Sequence, residues 1–408
     1  MAKPSIVCGL DIGSSSIKIL VVKTQGVDQA EALYVGHRPS SGIRRGVIVD
    51  VEEAGKCVVA VVKDALLASG TKIDGLYVNI GGSHLFCTMS HGLVSVSRAD
   101  GNISEEDVGR VLQAAKTISL SSNKEIIDIY PREFVVDGEG GVKDAIGMRG
   151  VRLEAEVIIV AGFAPYLKNL DQSIIKSDLE IYDRIPGAIA SAAASLTSQQ
   201  KELGVALVDI GAGTTSLAVY QEGDLMHLAV LPVGSGNITN DIAIGLRIDV
   251  EAAERIKIER GVCNFKGVDK KIKIEGAQKK NTVAVFSQRA VSRIIQDRVT
   301  EIFELVNKEL KKIDRVAKLP AGIVLSGGGA KLPGIEDLAK KEFRLSSRLA
   351  VPSGISNLDQ DPALTNVCGL TLLGIEERLN GSDSSPRFPS AGKSFWEKIK
   401  RFIKVFVP

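Results

Sequence analysis

Aromatic residues make up only 4% of the 408-residue chain, and there is one tryptophan. The core must therefore be built mostly from aliphatic side chains. Cysteine is scarce: Cys8, Cys57, Cys87, Cys263 and Cys368 are odd in number, scattered and set in apolar segments. No CxxC pair and no HExxH occur, and the four histidines (His37, His84, His91, His227) are dispersed. These absences argue against a disulfide framework and a metal centre, and for reduced core thiols in a cytosolic protein. No GxGxxG follows a strand, so the dinucleotide fingerprint is missing. SAGKS at Ser390 resembles a P-loop, but Arg387 stands where that loop needs glycine. A formal net charge of +2 gives no mark of a nucleic-acid binder. No apolar run is long enough to span a bilayer, and the opening MAKPSIVCGLDIG lacks the apolar stretch of a signal peptide.

What is present is an ordinary globular balance, 44% hydrophobic and 25% charged, over a length that predicts two or more domains. Two phrases about 200 residues apart share one plan. IVCGLDIGSSSIKILVV and VALVDIGAGTTSLAVY each read as strand, Asp-Ile-Gly turn, strand. Alternating strands and helices follow in both halves, which predicts an α/β fold of two related halves. In the first half VEEAGKCVVAVVKDALLAS reads as a helix stopped by Gly70, and GLYVNIGG as a buried strand. Residues 84–163 break the pattern with strand-rich segments and one helix, capped by Ser104 with Asp107 at its third position. RIPGAIASAAASL is a small-residue helix suited to close packing. In the second half RAVSRIIQDRVTEIFELVNKELKKI places Ile294, Ile295, Val299, Ile302, Phe303, Val306 and Leu310 near one helical face.

Three glycine turns end strongly apolar strands: DIGSSS, DIGAGTT and SGGGAKLPG. One such turn alone is usually a tight hairpin. Three together point to phosphate binding, because glycine lets backbone N–H groups approach an anion and Ser and Thr add donors. Bare phosphate would be repelled by Asp11 and Asp209, so these carboxylates are expected to act through Mg²⁺ or its waters. Lys18 follows the first turn and offers a point charge.

These motifs resemble the actin-like ATPase superfamily, whose members clamp nucleotide phosphates between two hairpin turns and hold adenosine with a third. CGLDIGSSSIK is similar to the first phosphate motif, LVDIGAGTTSLAVY to the second and GIVLSGGGAKLPGI to the adenosine motif. IPGAIASAAA and NVCGLTLLG resemble the two helices that cross between the lobes. Within the superfamily, YPREFVVDGEGGVKDAIGMRGVRLEAEV and LAVLPVGSGNITNDIAIGLRIDVEAAERIKIERG resemble the FtsA family of bacterial division proteins, from about Ile6 to Leu379.

The resemblance implies a two-lobe fold with duplicated ribonuclease-H-like domains. Residues 1–83 and 164–200 would form the first lobe and 84–163 an FtsA-type insert that makes the head-to-tail filament contact. Residues 201–379 would form the second lobe, itself carrying an insertion at about 238–300. It implies ATP and Mg²⁺ as ligands, with Asp11, Gly13, Ser14, Ser15 and Lys18 in the first phosphate loop. Asp209, Gly211, Gly213, Thr214 and Thr215 match the second. Glu254 and Lys257 match the pair that holds ribose and base, and Gly327, Gly328, Gly329 and Lys331 the adenosine loop. Ile185 stands where chaperones and actin position water with Glu or Gln, and Ser216 where chaperones carry a further Asp. Tight ATP binding with slow or negligible hydrolysis is therefore expected, without the general-base contribution of about 10²–10⁴-fold. The implied role is a filament-forming anchor for the tubulin-like FtsZ at the inner face of the cytoplasmic membrane, with contacts to later division proteins. A PilM-like pilus scaffold and an active ATPase of the same fold are the alternatives. For the acidic FtsZ C-terminal peptide, the basic groups of the second insertion (Lys279, Lys280, Arg289, Arg293, Arg298) are the candidates, Arg289 and Arg293 foremost.

The chain closes with NGSDSSPRFPSAG (380–392), a linker by composition, and KSFWEKIKRFIKVFVP (393–408). Phe395, Trp396, Ile399, Phe402, Ile403 and Phe406 recur at helical spacing, with Lys398, Lys400, Arg401 and Lys404 on the other side. A bulky apolar face beside a basic one reads as a membrane-surface helix. Each basic residue adds about 1 kcal/mol on an anionic leaflet, while ordering costs roughly 1–2 kcal/mol per residue. A single helix is thus expected to bind weakly, and many on one filament firmly.

Overall fold

The computed structural model describes residues 5–25, 29–118, 120–264, 271–275 and 283–380. The terminal segment 393–408, with its apolar and basic faces, lies outside the described residues, as do Lys279, Lys280 and, apart from Asn380, the expected linker. No helix among the described residues is long and apolar enough to cross a membrane.

The repeated phrase in the sequence becomes a repeated sheet. In the first lobe the strand order is Glu180–Pro186, Gly75–Ile80, Ser5–Ile12, Ser16–Thr24, Ala30–Pro39. In the second it is Ser347–Leu349, Ile323–Ser326, Val205–Ile210, Thr215–Gln221, Asp224–Leu231. Each set runs parallel across its first three strands and antiparallel through the last three. Val205–Ile210 is apolar apart from Asp209 because both its faces are covered. Val205 and Leu207 enter one core, while Ala206, Val208 and Ile210 enter the other.

Helix Val51–Ser69 starts where the Asp50 side chain accepts from the N–H groups of Glu52 and Glu53, and stops at Gly70, φ 62°. It buries Ala54, Val58, Val61, Val62 and Ala65, a stripe at helical spacing. Helix Gln288–Lys312 buries Val299, Ile302, Phe303, Val306 and Leu310 and leaves Ile294 half-buried at the border of its stripe. Two helices cross between the lobes, Gly187–Ser195 and Thr365–Asn380. A Cβ at Gly369 would lie 1.7 Å from the Ala190 carbonyl oxygen, so only glycine permits this approach.

The segment from residue 84 to 163 has its own core, built on Val108, Val111 and Leu112 of helix Glu105–Ala115 and on Phe134, Leu153 and Val157 of its strands. Its sheet is not separate. Strand Phe86–Ser95 continues the second lobe's sheet through one register pair, Ala229 with Phe86, giving nine strands in a row. Nothing in the sequence announced this, because edge pairing between distant strands leaves no periodic signal. All five cysteines are free, but Cys57 and Cys87 are half-buried, outside the expected core set. Burial pushes Cys263 and Cys368 up to about 12.

Candidate functional site

The two Asp-Ile-Gly turns face one cleft of about 1810 Å³ between the lobes. Each turn closes with one backbone bond, Gly13 N–H to the Ser16 oxygen (3.1 Å) and Gly211 N–H to the Thr214 oxygen (2.9 Å). A Cβ on Gly13 would sit 2.8 Å from the Ser16 oxygen, and one on Gly213 would sit 2.6 Å from Ser14 Oγ. The small residues are thus dictated by the turns and by the approach of one loop to the other.

Asp11 is held from two sides, and one of its partners is itself anchored. Lys18 Nζ donates to Oδ2 at 2.9 Å and Asn79 Nδ2 to Oδ1 at 2.8 Å, while Asn79 Oδ1 accepts the Ile12 N–H at 2.7 Å. Lys18 thus serves Asp11 across the hairpin. Burial alone would lower the Lys18 ammonium, but the charge and hydrogen bond of Asp11, with Asp209 and Asp361 behind, hold it above its ordinary value. Asp209 receives the Ser191 hydroxyl at 2.6 Å, from the helix that crosses between the lobes. Burial pushes the Asp209 carboxyl up, against the Ser191 bond, and the charge of Asp11 pushes the same way.

The third turn abuts the second. Gly327 has φ 83°, and a Cβ there would lie 2.5 Å from Asp209 Oδ1; Gly329 packs on Ile210, and Gly328 faces open space. Lys331 pairs with Asp361 at 2.6 Å. Burial would raise Asp361, but Lys331 and the Ala363 N–H hold it below its ordinary value. On helix Val250–Arg260, Lys257 is buried, 2.7 Å from Glu254. Thr239 ties the pair together, accepting from Lys257 at 2.9 Å and donating to Glu254. These two charges therefore cross-link two helices rather than decorate a solvated face.

Of the residues singled out by sequence, Ser14, Ser15, Thr214 and the others named above line the cleft, except Thr215. Thr215 is fully buried and its hydroxyl donates to the Val233 oxygen at 2.9 Å. Ile185 is buried beside Asn79 in the first sheet and does not line the cleft. Arg289 and Arg293 are remote from it, exposed at the start of helix Gln288–Lys312; Arg293 approaches Asp297 at 3.9 Å. Arg298, by contrast, is committed to Asp241 at 2.6 Å and to Glu301. Sequence reasoning passed over Asn79, Ser191, Arg44, Arg45 and Asn366. The one signal for Asn79 was a polar residue inside the apolar run GLYVNIGG.

Two lobes of matching strand order, two crossing helices and a glycine-lined cleft between them define an actin-like fold. Solved structures agree. The structure titled PilM-PilN type IV pilus biogenesis complex superposes with TM-score 0.65 at 17% identity, covering 90% of this chain and 98% of that one. MreB5 of Spiroplasma citri bound to ADP gives 0.56 at 15% identity, covering 92% and 99%. These likenesses are of fold.

Sequence relatives resolve the family. The model for cell division protein FtsA matches residues 206–369, and that for the SHS2 domain inserted in FtsA matches 82–161. FtsA of Pseudomonas aeruginosa is 32% identical, covering 98% of this chain and 97% of its own length. FtsA of Bacillus subtilis is 36% identical, covering 86% and 79%. The chain belongs to the FtsA family of cell division proteins.

Proposed function

We propose that this protein binds ATP with Mg²⁺ in the interlobe cleft, self-associates into filaments, and anchors FtsZ at the division site on the inner face of the cytoplasmic membrane. The observation that carries the nucleotide part is the pair of register-matched aspartates, Asp11 and Asp209, each ending a strand at a glycine turn that opens on one cleft. The donors fit a phosphate chain: backbone N–H groups where no Cβ has room, with the hydroxyls of Ser14, Ser15 and Thr214 beside them. Asp11 and Asp209 would repel the anionic phosphates they face, and a divalent cation offsets that repulsion. Asp11 and Asp209 would hold that cation through its waters; the cation would neutralise the phosphates. Glu254 and Lys257 would face ribose and base, beside Gly327, Gly328, Gly329 and Lys331.

Hydrolysis is expected to be slow. No glutamine is among the described residues that line the cleft; of its two glutamates, Glu254 is engaged by Thr239 and Lys257, and Glu251 stands with it on helix Val250–Arg260 rather than at a phosphate turn. Turnover faster than about one per second, in the usual enzyme range, would refute this.

The exposed apolar side chains of the insert, Met89, Leu93 and Val151, support a self-contact there. Arg289 and Arg293 suit the acidic FtsZ C-terminal peptide, and the basic, aromatic segment 393–408 suits an anionic lipid surface. Later division proteins would join the same assembly. Family membership favours this reading over a pilus scaffold, whose likeness is one of fold. The test is liposome co-sedimentation with ATP, comparing the full chain with one ending at Gly392. Loss of pelleting on truncation is the expected result; equal pelleting would remove the membrane anchor.

A further inference from the structure

Between the two phosphate turns stands a third element that no motif announced. Residues Ile43–Arg44 and Val47–Ile48 form a small hairpin whose two-residue turn is Arg45–Gly46. Both turn residues have positive φ, 49° and 75°. That is the turn for which Asn-Gly is the favoured pair, so an arginine at its first position goes against local preference. Among the described non-glycine residues with positive φ, Arg45 is the one that lines the cleft.

The hairpin is clamped on two sides. The Gly46 N–H donates to Ser14 Oγ of the first loop at 2.8 Å. A Cβ on Gly213 of the second loop would come within 3.1 Å of the Arg45 Cα. On the far side, a Cβ on Gly46 would lie 2.7 Å from the Gly82 nitrogen. The turn therefore touches both phosphate loops and cannot shift without disturbing them. Arg44 and Arg45 are exposed, and neither side chain has an ion-pair or hydrogen-bond partner among the described residues. Three other cations of this cleft are engaged, Lys18 with Asp11, Lys257 with Glu254 and Lys331 with Asp361; Arg255 also lines it, but from helix Val250–Arg260 rather than from a phosphate turn.

We infer that Arg45 contacts the terminal phosphate of the bound nucleotide, so that this hairpin distinguishes a triphosphate from a diphosphate; the inference rests on the nucleotide reading of the cleft. A guanidinium suits that task because its planar fork meets two phosphate oxygens at once. The extra charge of a triphosphate also needs a counter-charge that Lys18, bound to Asp11, supplies only in part. The strained backbone is then a positional device, fixing where the side chain leaves the turn.

The test uses the full chain and equilibrium binding of Mg–ATP, a slowly hydrolysed ATP analogue and Mg–ADP. Arg45→Gly removes the guanidinium and suits the positive φ, so the turn is retained; a thermal melt checks this. Binding of ATP and of the analogue is expected to weaken about tenfold to a hundredfold, with ADP changed less than about threefold. Arg45→Lys keeps the charge without the fork and is expected to fall between. Equal weakening for ATP and ADP, or no change for either, overturns the inference while leaving the nucleotide site standing. A wild-type chain that binds neither nucleotide overturns both. If Arg44→Ala, which removes the same charge one residue away, reproduces the ATP-selective loss, the assignment to Arg45 fails.

Discussion

The two lobes place an aspartate at the same point of the same sheet and then treat it in opposite ways. In the first lobe the residue opposite Asp11 across the hairpin is Lys18; in the second, the residue opposite Asp209 is Ser216. Asp11 sits in an ion pair and takes an amide from Asn79. Asp209 has a hydroxyl from Ser191 and is pushed toward its neutral form. The repeated strand plan fixed the position of the carboxylate, while burial and the residues around it, Lys18 in one lobe and Ser191 in the other, set its electrostatics. One lobe therefore presents a carboxylate paired with a lysine, the other a carboxylate that burial pushes up and a hydroxyl holds.

The same substitution in each lobe is the strongest way to break this contrast. Asp11→Asn leaves the half-buried Lys18 ammonium without its ion-pair partner and is expected to cost about 2–3 kcal/mol of stability, read from urea unfolding. Asp209→Asn removes a half-buried, desolvated charge that has no ion-pair partner of its own, and is expected to stabilise at neutral pH by about 1 kcal/mol. Equal and like-signed effects would mean that the two aspartates are equivalent after all.

A smaller change sharpens the second half of the comparison. Ser191→Ala removes the buried hydroxyl that serves the half-buried Asp209 and is expected to destabilise by about 1–3 kcal/mol at pH 7. Ser191→Thr, which keeps the hydroxyl, is expected to recover part of that loss.

Acidity gives a further test, with opposite signs at two carboxylates. Asp209 titrates above the ordinary 3.8 in the folded chain, so its contribution is fully present below 3.8 and is lost as pH rises through the raised value. The advantage of Asp209→Asn over wild type should therefore shrink as pH falls toward 3.8. Asp361 is held low by Lys331, so its contribution is present above 3.8 and fades as pH falls through the lowered value. Asp361→Asn should thus lose its effect only at lower pH still. Unfolding midpoints across pH 3–7 separate the two.

The smallest effect on stability lies outside the cleft. Arg289→Glu with Arg293→Glu changes two exposed side chains, and the folded chain is expected to shift by no more than about 0.5 kcal/mol per substitution. Binding of an acidic FtsZ C-terminal peptide, measured by fluorescence anisotropy, is expected to fall sharply. Unchanged peptide affinity would remove these arginines from the proposed contact.

Much of the fold was legible because its signals are local. Gly70 stopping a helix, Ser104 and Asp107 forming a capping box, and the stripe of Val299, Ile302, Phe303, Val306 and Leu310 depend on neighbours within a few residues. The glycine turns were legible for the same reason. Thr215 was not: two adjacent threonines read alike, yet Thr214 ends the turn at the cleft while Thr215 opens the strand with its side chain in the core. Asn79 and Ser191 were missed because each reaches its aspartate from another element, 68 and 18 residues away. Arg45 was missed because its interest lies in a positive φ and in contacts to two loops, neither of which a sequence displays.

By itself, then, the sequence determined the repeated strand–turn–strand plan, the helices with their caps, and the two carboxylates that end matching strands. These follow from periodicity, from small residues where a turn allows no Cβ, and from apolar strands covered on both faces. The tertiary structure alone decided that Lys18 faces Asp11 while Ser191 faces Asp209, that the insert's sheet joins the second lobe at Ala229 and Phe86, and that Arg45 stands between the two loops. Each of those is a meeting of groups distant along the chain or across a hairpin, and the energy of such a meeting depends on three-dimensional approach, burial and charge rather than on spacing in the sequence.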